Sequence, residues 1–128
     1  MSESRIKARH LSIAQERYVE AILDAEEHHG HAHVTLLADE LKVKKPSVVQ
    51  MTARLEQKGM VKRMGKAVTL TAKGKRVGLA LQGRHAALQR FMQENLGMAL
   101  KQANEEACRL EHVVSERFMQ GIYDLLGH

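Results

Sequence analysis

The sequence contains little of several residue types, and each shortage excludes a class of protein. A single cysteine, Cys108, rules out an internal disulfide framework. There is no tryptophan and only four other aromatic residues, which argues against binding of single-stranded nucleic acid through stacked rings. No run approaches the roughly 20 apolar residues of a membrane span, and the first residues lack the apolar core of a signal peptide. We therefore expect a cytoplasmic protein with no membrane-spanning segment.

The charged residues are unevenly distributed along the chain. Its 128 residues, 44% of them hydrophobic, suffice for one folded domain or for a domain with a short second module. Eleven basic residues and one acidic residue lie between Lys42 and Arg76, whereas acidic residues outnumber basic ones in the remainder. A concentrated positive patch is typical of a protein that binds a polyanion. Double-stranded DNA is the favoured polyanion, and a membrane surface is the alternative.

Three helices are predicted in the first half of the chain. Apolar residues at helical spacing predict helices over residues 11–27 and 34–41, with Ser12 capping the first and Thr35 the second. Pro46 suits the first turn of a third helix that ends near Lys58. Two short helices joined by a tight turn form the helix-turn-helix pattern.

A basic hairpin is predicted to follow the third helix. After Gly59 the pattern changes to two short strands, residues 60–64 and 67–71, joined by a Gly-Lys turn. Helices followed by such a hairpin predict a winged helix-turn-helix DNA-binding domain over residues 1–71. An α+β domain that carries surface lysines is the alternative.

Residues 72–128 are predicted to form a helical domain for dimerisation and metal binding, so the fold class as a whole is mainly α. The first helix of this domain contains Gly74, Gly78 and Gly83, and each glycine costs roughly 1 kcal/mol relative to alanine. We therefore expect close backbone contacts at these glycines. The two later helices carry more apolar residues than one chain can cover. This excess predicts a homodimer, which a two-fold DNA site also requires; packing within the monomer is the alternative.

The sharpest chemical grouping is formed by Cys108, Glu111 and His112. Residues spaced i, i+3 and i+4 share one face of a helix. A thiolate, a carboxylate and an imidazole suit Fe²⁺, Mn²⁺, Co²⁺ or Zn²⁺ better than Ca²⁺ or Mg²⁺. Three ligands are too few, so His85 and Glu20, on helices expected to pack nearby, are added as candidates.

These motifs resemble a known family. The run from Glu106 to Val113, the Pro-Ser-Val-Val-Gln run at Pro46 and the helix-borne His85 are similar to the diphtheria toxin repressor family, which includes the manganese transport regulators. The resemblance covers residues 10–126. It implies a homodimeric repressor that binds palindromic operator DNA and controls iron or manganese homeostasis. It matches five residues to metal-binding positions of the family: Glu20, His85, Cys108, Glu111 and His112.

Three departures from the family pattern affect the expected metal. Arg17 stands where iron-type members have methionine and manganese-type members have aspartate, and arginine cannot coordinate a metal. Gln89 and Asn104 replace a glutamate and a histidine of a second site, so a complete second site is not expected. The chain ends at His128, and no third, SH3-like domain is expected. Fe²⁺ and Mn²⁺ are the favoured metals, with Zn²⁺ and Co²⁺ as alternatives.

The DNA-binding residues are expected around the third helix and the hairpin. Gln50 can pair bidentately with adenine, and Arg54 can reach guanine or phosphate. Nearby basic side chains are expected to contact phosphates. The predicted DNA-binding residues are Lys44, Lys45, Pro46, Ser47, Gln50, Arg54, Lys62, Arg63 and Lys66.

The function predicted from the sequence is therefore a non-enzymatic, metal-dependent repressor. One alternative is a winged-helix regulator with a vestigial metal site, in which Arg17 stands in for a cation. Others are a metal-dependent hydrolase built on Cys108, and a metal buffer that uses the four histidines of residues 28–33. The basic residues at the N-terminus are predicted to be a phosphate-contacting arm or a tail; they are Arg5, Lys7, Arg9 and His10.

Overall fold

The computed structural model describes residues 11–127, so the predicted N-terminal arm lies outside the described residues. Six helices and three short strands occur in this range. In chain order they are α1 (Ile13–His29), β1 (Ala32–His33), α2 (Val34–Leu41), α3 (Lys45–Gln57), β2 (Val61–Met64), β3 (Ala67–Leu70), α4 (Ala72–Leu96), α5 (Leu100–Leu110) and α6 (Glu116–Leu126). The predicted fold class, mainly α with a small β wing, is confirmed.

The chain divides into two compact units, and the division falls inside α4, between Leu79 and Ala80. The boundary predicted from the sequence, after residue 71, lies at the start of that helix. No helix within residues 11–127 combines the length and the apolar character needed to cross a membrane.

In the first unit, α1 begins at the predicted N-cap, Ser12, which forms a capping box with Gln15. The Ser12 hydroxyl accepts a hydrogen bond from the Gln15 backbone N–H, and the Gln15 side chain accepts one from the Ser12 N–H, each at 3.0 Å. One face of the helix, including Val19 and Ile22, is fully buried in the core of the unit. The helix runs two residues further than predicted, to His29, and its C-cap is Gly30, whose φ of 78° suits a glycine.

The wing, the small antiparallel sheet of β1, β2 and β3, contains one strand more than predicted. β2 and β3 form the expected antiparallel hairpin, and β1 pairs with the other edge of β3, opposite Ala67 and Val68. β1 is only two residues long, which is too short for its sequence to show the alternation that marks a strand.

The histidine-rich segment lies mostly within regular elements instead of forming a loop. Residues 28–29 complete α1, and His33 is the N-cap of α2. The His33 Nδ1 atom accepts a hydrogen bond from the Leu36 backbone N–H at 3.3 Å, so the cap predicted at Thr35 is wrong. The rings of His31 and His33 are stacked, with their centroids 5.4 Å apart.

Two of the three glycines within α4 make the close contacts that were predicted. A Cβ atom at Gly74 would lie 2.1 Å from the Met60 carbonyl oxygen, and one at Gly78 would lie 3.0 Å from Leu23. Gly83 has no such neighbour within 4 Å, so the prediction is wrong at that position.

Gly74→Ala is expected to destabilise the protein by about 3 kcal/mol through overpacking. The Met60 carbonyl cannot easily move aside, because it accepts a hydrogen bond from the Thr71 N–H at 3.0 Å. Gly83→Ala is the matched control, and it should stabilise α4 by up to about 1 kcal/mol. Urea unfolding of both variants measures the difference. Equal stability of the two variants would contradict the close contact at Gly74.

In the second unit, the remainder of α4 packs with α5 and α6. α4 ends just before Gly97, which has a φ of 66°. The Arg84 guanidinium donates a hydrogen bond to the Val114 carbonyl and so ties the turn between α5 and α6 to α4. The buried core of the unit consists of Ala87, Leu88, Met92, Ala103, Ala107, Met119, Ile122 and Leu126.

Candidate metal centre and nucleic-acid interface

Three potential metal ligands meet in the second unit. His85 lies on α4, Cys108 lies in the last turn of α5, and Glu111 is the C-cap residue of α5. Their ligand atoms all lie within 4.8 Å of one another. The His85 Nδ1 atom is 3.9 Å from the Cys108 Sγ atom and 3.5 Å from the Glu111 Oε2 atom. Nitrogen, sulfur and oxygen donors together suit a divalent transition metal.

The Glu111 carboxylate dominates the electrostatics of this cluster. Its side chain is only 3% exposed, and its Oε2 atom has no hydrogen-bond partner among the described residues. Burial raises the pKa of the carboxyl group, but the neighbouring His112 and His85 imidazoles outweigh that effect, and the net pKa is lowered. A buried, ionised carboxylate with an open oxygen is a costly arrangement unless a cation completes it. The donor set therefore fits a bound metal ion.

The His85 ring is contacted on its other nitrogen as well. The Nε2 atom lies 2.8 Å from the Asn104 Oδ1 atom, across from α4 on α5. The imidazole is 23% exposed, so this hydrogen bond lies at the solvent-facing side of the cluster. Metal-binding histidines commonly have such an outer hydrogen-bond partner.

The predicted helical triad is only partly retained. α5 ends at Leu110, so Glu111 and His112 lie at the start of a turn and not on the helix. The His112 side chain is 2% exposed and lies beside the second oxygen of Glu111, with its Nε2 atom 3.4 Å from Oε1. Glu20 is half-buried on α1 in the first unit. The assignment of His112 and Glu20 as metal ligands stays a prediction.

Arg17, the departure from the family pattern, is exposed on α1. Together with Ile13, Tyr18 and Val43 it lines a shallow cavity of about 330 Å³ in the first unit. The side chains around it are mostly apolar, and its guanidinium offers no lone pair to a metal.

α3 presents the predicted DNA-reading surface. One face of the helix is anchored in the core by Val48, Thr52 and Leu55, each with no exposed surface. The predicted contact residues on this helix are exposed: Lys45, Pro46, Ser47, Gln50 and Arg54. Lys44 caps the helix without a side-chain hydrogen bond, and the first turn contains no acidic residue. The helix N-terminus is therefore strongly positive and suited to a phosphate group.

Val49 is a candidate DNA contact that sequence reasoning missed. It is 44% exposed and adjoins Gln50, whereas Val48 beside it is fully buried. An exposed apolar side chain on a recognition helix can contact the methyl group of thymine. The signal in the sequence was the pair of adjacent valines, because two neighbours on a helix cannot both point directly into the core.

Within the wing, Arg63 differs from the exposed Lys62 and Lys66. Its backbone N–H donates to the Glu56 Oε2 atom at 2.9 Å, and its Nε–H donates to the Oε1 atom at 3.3 Å. These hydrogen bonds hold the pKa of Glu56 below its usual value. Its guanidinium also donates to the Val49 carbonyl at 3.5 Å. Arg63 thus attaches the wing to α3, and its predicted phosphate contact stays a prediction.

A winged helix-turn-helix with exposed basic residues, followed by a helical unit with clustered potential metal ligands, is the architecture of metal-responsive DNA-binding regulators. Comparison with known proteins gives the family. Residues 10–67 match the N-terminal DNA binding domain of the iron dependent repressors, and residues 71–128 match their metal binding and dimerisation domain. The chain belongs to the iron-dependent repressor family, which includes the diphtheria toxin repressors, and the predicted resemblance is confirmed.

Three similar proteins illustrate the relationship. The iron-dependent repressor IdeR of Mycobacterium leprae is 31% identical over 114 residues, which are 88% of this chain and 50% of IdeR. An HTH-type transcriptional regulator of Methanocaldococcus jannaschii is 33% identical over 112 residues, 86% of this chain and 90% of that protein. The solved structure of a manganese-dependent transcriptional repressor in complex with manganese has a TM-score of 0.81 and 32% identity, covering 88% of this chain and 52% of that one. The chain spans about half the length of IdeR and of the diphtheria toxin repressors.

Proposed function

We propose that this chain is a metal-dependent transcriptional repressor that binds palindromic operator DNA as a homodimer and controls iron or manganese homeostasis. The observation that carries the proposal is the open Oε2 atom of the buried Glu111, which faces the ligand atoms of His85 and Cys108. Fe²⁺ and Mn²⁺ are the favoured metals, because IdeR is iron-dependent and the matched structure is manganese-dependent. Zn²⁺ and Co²⁺ are the alternatives. The cytoplasm is the proposed place of action.

The proposed ligands are His85, Cys108 and Glu111, completed by His112 and Glu20. When bound, the metal supplies the positive charge that the buried carboxylate lacks. We expect metal occupancy to change DNA affinity, typically by about 1–3 kcal/mol. We assign the cluster to metal sensing and not to hydrolysis, because the family is one of repressors.

The proposed dimer surface is an apolar groove on the second unit. The groove has a volume of about 620 Å³ and is lined by Phe91, Phe118, Ile122 and Leu125, with Arg117 at its edge. Exposed apolar patches of this kind usually mark an interaction surface. A second copy of the chain is the expected occupant, because residues 71–128 match a family domain described as a metal binding and dimerisation domain. A two-fold dimer would place two α3 helices on the two halves of a palindrome.

The proposal is tested by measuring operator affinity with and without metal. Preferred duplexes are first selected from random-sequence DNA in the presence of Mn²⁺. They are then titrated at one fixed salt concentration with Mn²⁺, with Fe²⁺ under anaerobic conditions, and with a chelator. We expect metal to tighten binding about 5- to 150-fold. Equal affinities would contradict metal control and leave DNA binding intact.

Base and phosphate contacts should respond differently to mutation. Gln50→Ala is expected to weaken binding to the selected operator by about 1–3 kcal/mol and to relax the preference at the base pair it reads. Lys62→Ala should weaken binding to all sequences alike and reduce the salt dependence by about one released ion. Fluorescence anisotropy with operator and scrambled duplexes at several salt concentrations separates the two effects. If Gln50→Ala weakens binding to all duplexes equally, then Gln50 contacts the DNA backbone and not a base.

The Arg17→Asp variant distinguishes the proposal from a vestigial metal site. The substitution exchanges a non-ligating cation for a carboxylate, so we expect the variant to bind Mn²⁺ more tightly than the wild type. Elemental analysis of the purified protein measures the bound metal, and Lys101→Asp, also exposed, is the control for the change in charge. If the purified wild type contains no metal and the Arg17→Asp variant does, the result would favour a vestigial metal site.

A further inference from the structure

We propose that Asn104 is a positioning residue for the candidate metal centre. Its side-chain carbonyl holds His85 in the tautomer that carries hydrogen on Nε2, so that the Nδ1 atom, beside Cys108 and Glu111, keeps its lone pair for a metal ion. The inference rests on the proposed metal-sensing function and assigns a role to a residue outside the proposed ligand set.

The geometry around the imidazole supports this role. The His85 Nε2 atom is 2.8 Å from the Asn104 Oδ1 atom, and a carbonyl oxygen only accepts hydrogen bonds. In a neutral imidazole the hydrogen of this bond must therefore be on Nε2. The opposite nitrogen, Nδ1, then carries the lone pair; it lies 3.5 Å from the Glu111 Oε2 atom and 3.9 Å from the Cys108 Sγ atom.

The Glu111 carboxylate opposes this arrangement. Its buried Oε2 atom lies 3.5 Å from Nδ1 and attracts the hydrogen of the ring to that nitrogen. That tautomer would block the lone pair that a metal needs. Asn104 opposes it by stabilising the hydrogen on Nε2. Its role is thus to keep the nitrogen that faces the cluster free of hydrogen before a metal arrives.

The exposure of Asn104 and His85 determines how much metal affinity should fall when their hydrogen bond is removed. Loss of an outer partner of a metal-binding histidine usually lowers metal affinity about 10- to 100-fold. Asn104 is exposed and the His85 side chain is 23% exposed, so water can replace part of the lost hydrogen bond. We therefore expect a reduction of about tenfold, the lower end of that range.

The first test uses the metal-free protein. Long-range ¹H–¹⁵N spectra, recorded where imidazole is neutral, distinguish the two tautomers, and a His85→Gln variant assigns the signals. The wild type and Asn104→Asp should carry the hydrogen on Nε2, whereas Asn104→Leu should shift it towards Nδ1. Gln102→Leu, which removes an exposed amide from the same helix, is the control and should leave the tautomer unchanged. A wild type with hydrogen on Nδ1, or an unaltered tautomer in Asn104→Leu, would overturn the proposal.

The second test is a Co²⁺ titration, followed by the absorption band of thiolate-bound cobalt. Asn104→Leu should bind about tenfold more weakly, and Asn104→Asp should bind at least as tightly as the wild type, because a carboxylate is the stronger acceptor. Equal affinity in the wild type and Asn104→Leu would overturn the role in metal binding. If the wild type binds no Co²⁺, the proposed metal centre fails, and the spectra of the metal-free protein still decide the tautomer.

Discussion

Replacing Glu111 by glutamine is expected to lower the affinity for Mn²⁺ or Fe²⁺ by about a hundredfold or more. Glutamine keeps the shape of the side chain and removes its charge, so the change isolates the electrostatic contribution. The carboxylate is 3% exposed, and water cannot take its place beside a cation. Removing one partner of a buried ion pair typically costs about 3–5 kcal/mol, which corresponds to at least the stated loss of affinity.

Glu106→Gln is the matched control for this substitution. The Glu106 side chain is 42% exposed and pairs with Arg109 one turn along the same helix. Surface pairs of this kind contribute about 0–1 kcal/mol, so metal affinity should remain close to that of the wild type. Isothermal titration calorimetry measures both variants. Unchanged affinity in Glu111→Gln would remove this carboxylate from the ligand set.

Phe118→Glu is expected to convert the protein into a monomer and to abolish tight operator binding. Phe118 is 48% exposed and Leu125 on the same helix is 68% exposed. A second copy that packs against them would bury both side chains. Burial of one such side chain is worth about 1.5–3 kcal/mol, and two-fold symmetry counts the residue twice. The dimer dissociation constant should therefore rise about a thousandfold, even before the repulsion between the two introduced charges is counted.

The control for the dimer surface is Leu79→Glu. Leu79 is 47% exposed and lies outside the groove, in the first unit. Sedimentation velocity over a range of concentrations should show a dimer for this variant and a monomer for Phe118→Glu. If Phe118→Glu remains a dimer, the groove is not the interface.

Much of the fold could be predicted because its signals are local. The Ser12 cap of α1, the Pro46 start of α3 and the Gly-Lys turn of the hairpin each act within a few residues of chain. The strand β1 could not be predicted, because its two residues are defined only by pairing with a strand over thirty positions away. The N-cap at His33 was missed for a different reason, because histidine is seldom a capping residue.

Some features of the candidate site could likewise be predicted from local spacing, and others could not. The spacing of Cys108 and Glu111 put both on one face, and that grouping survives the end of α5 because the C-cap residue keeps helical dihedral angles. The contacts between Asn104 and His85 and between Glu56 and Arg63 join separate elements. They depend on how those elements pack, and no pattern in the sequence indicated them.

The pairing of Glu56 with Arg63 also sets the smallest segment that could be transplanted. A chimaera that moved α3 alone onto a related scaffold would leave behind the residue whose backbone and guanidinium bind Glu56. The transferred helix would then carry an unmatched negative charge next to the DNA. Residues 45–64 are therefore the unit of exchange if operator preference is to be swapped between repressors.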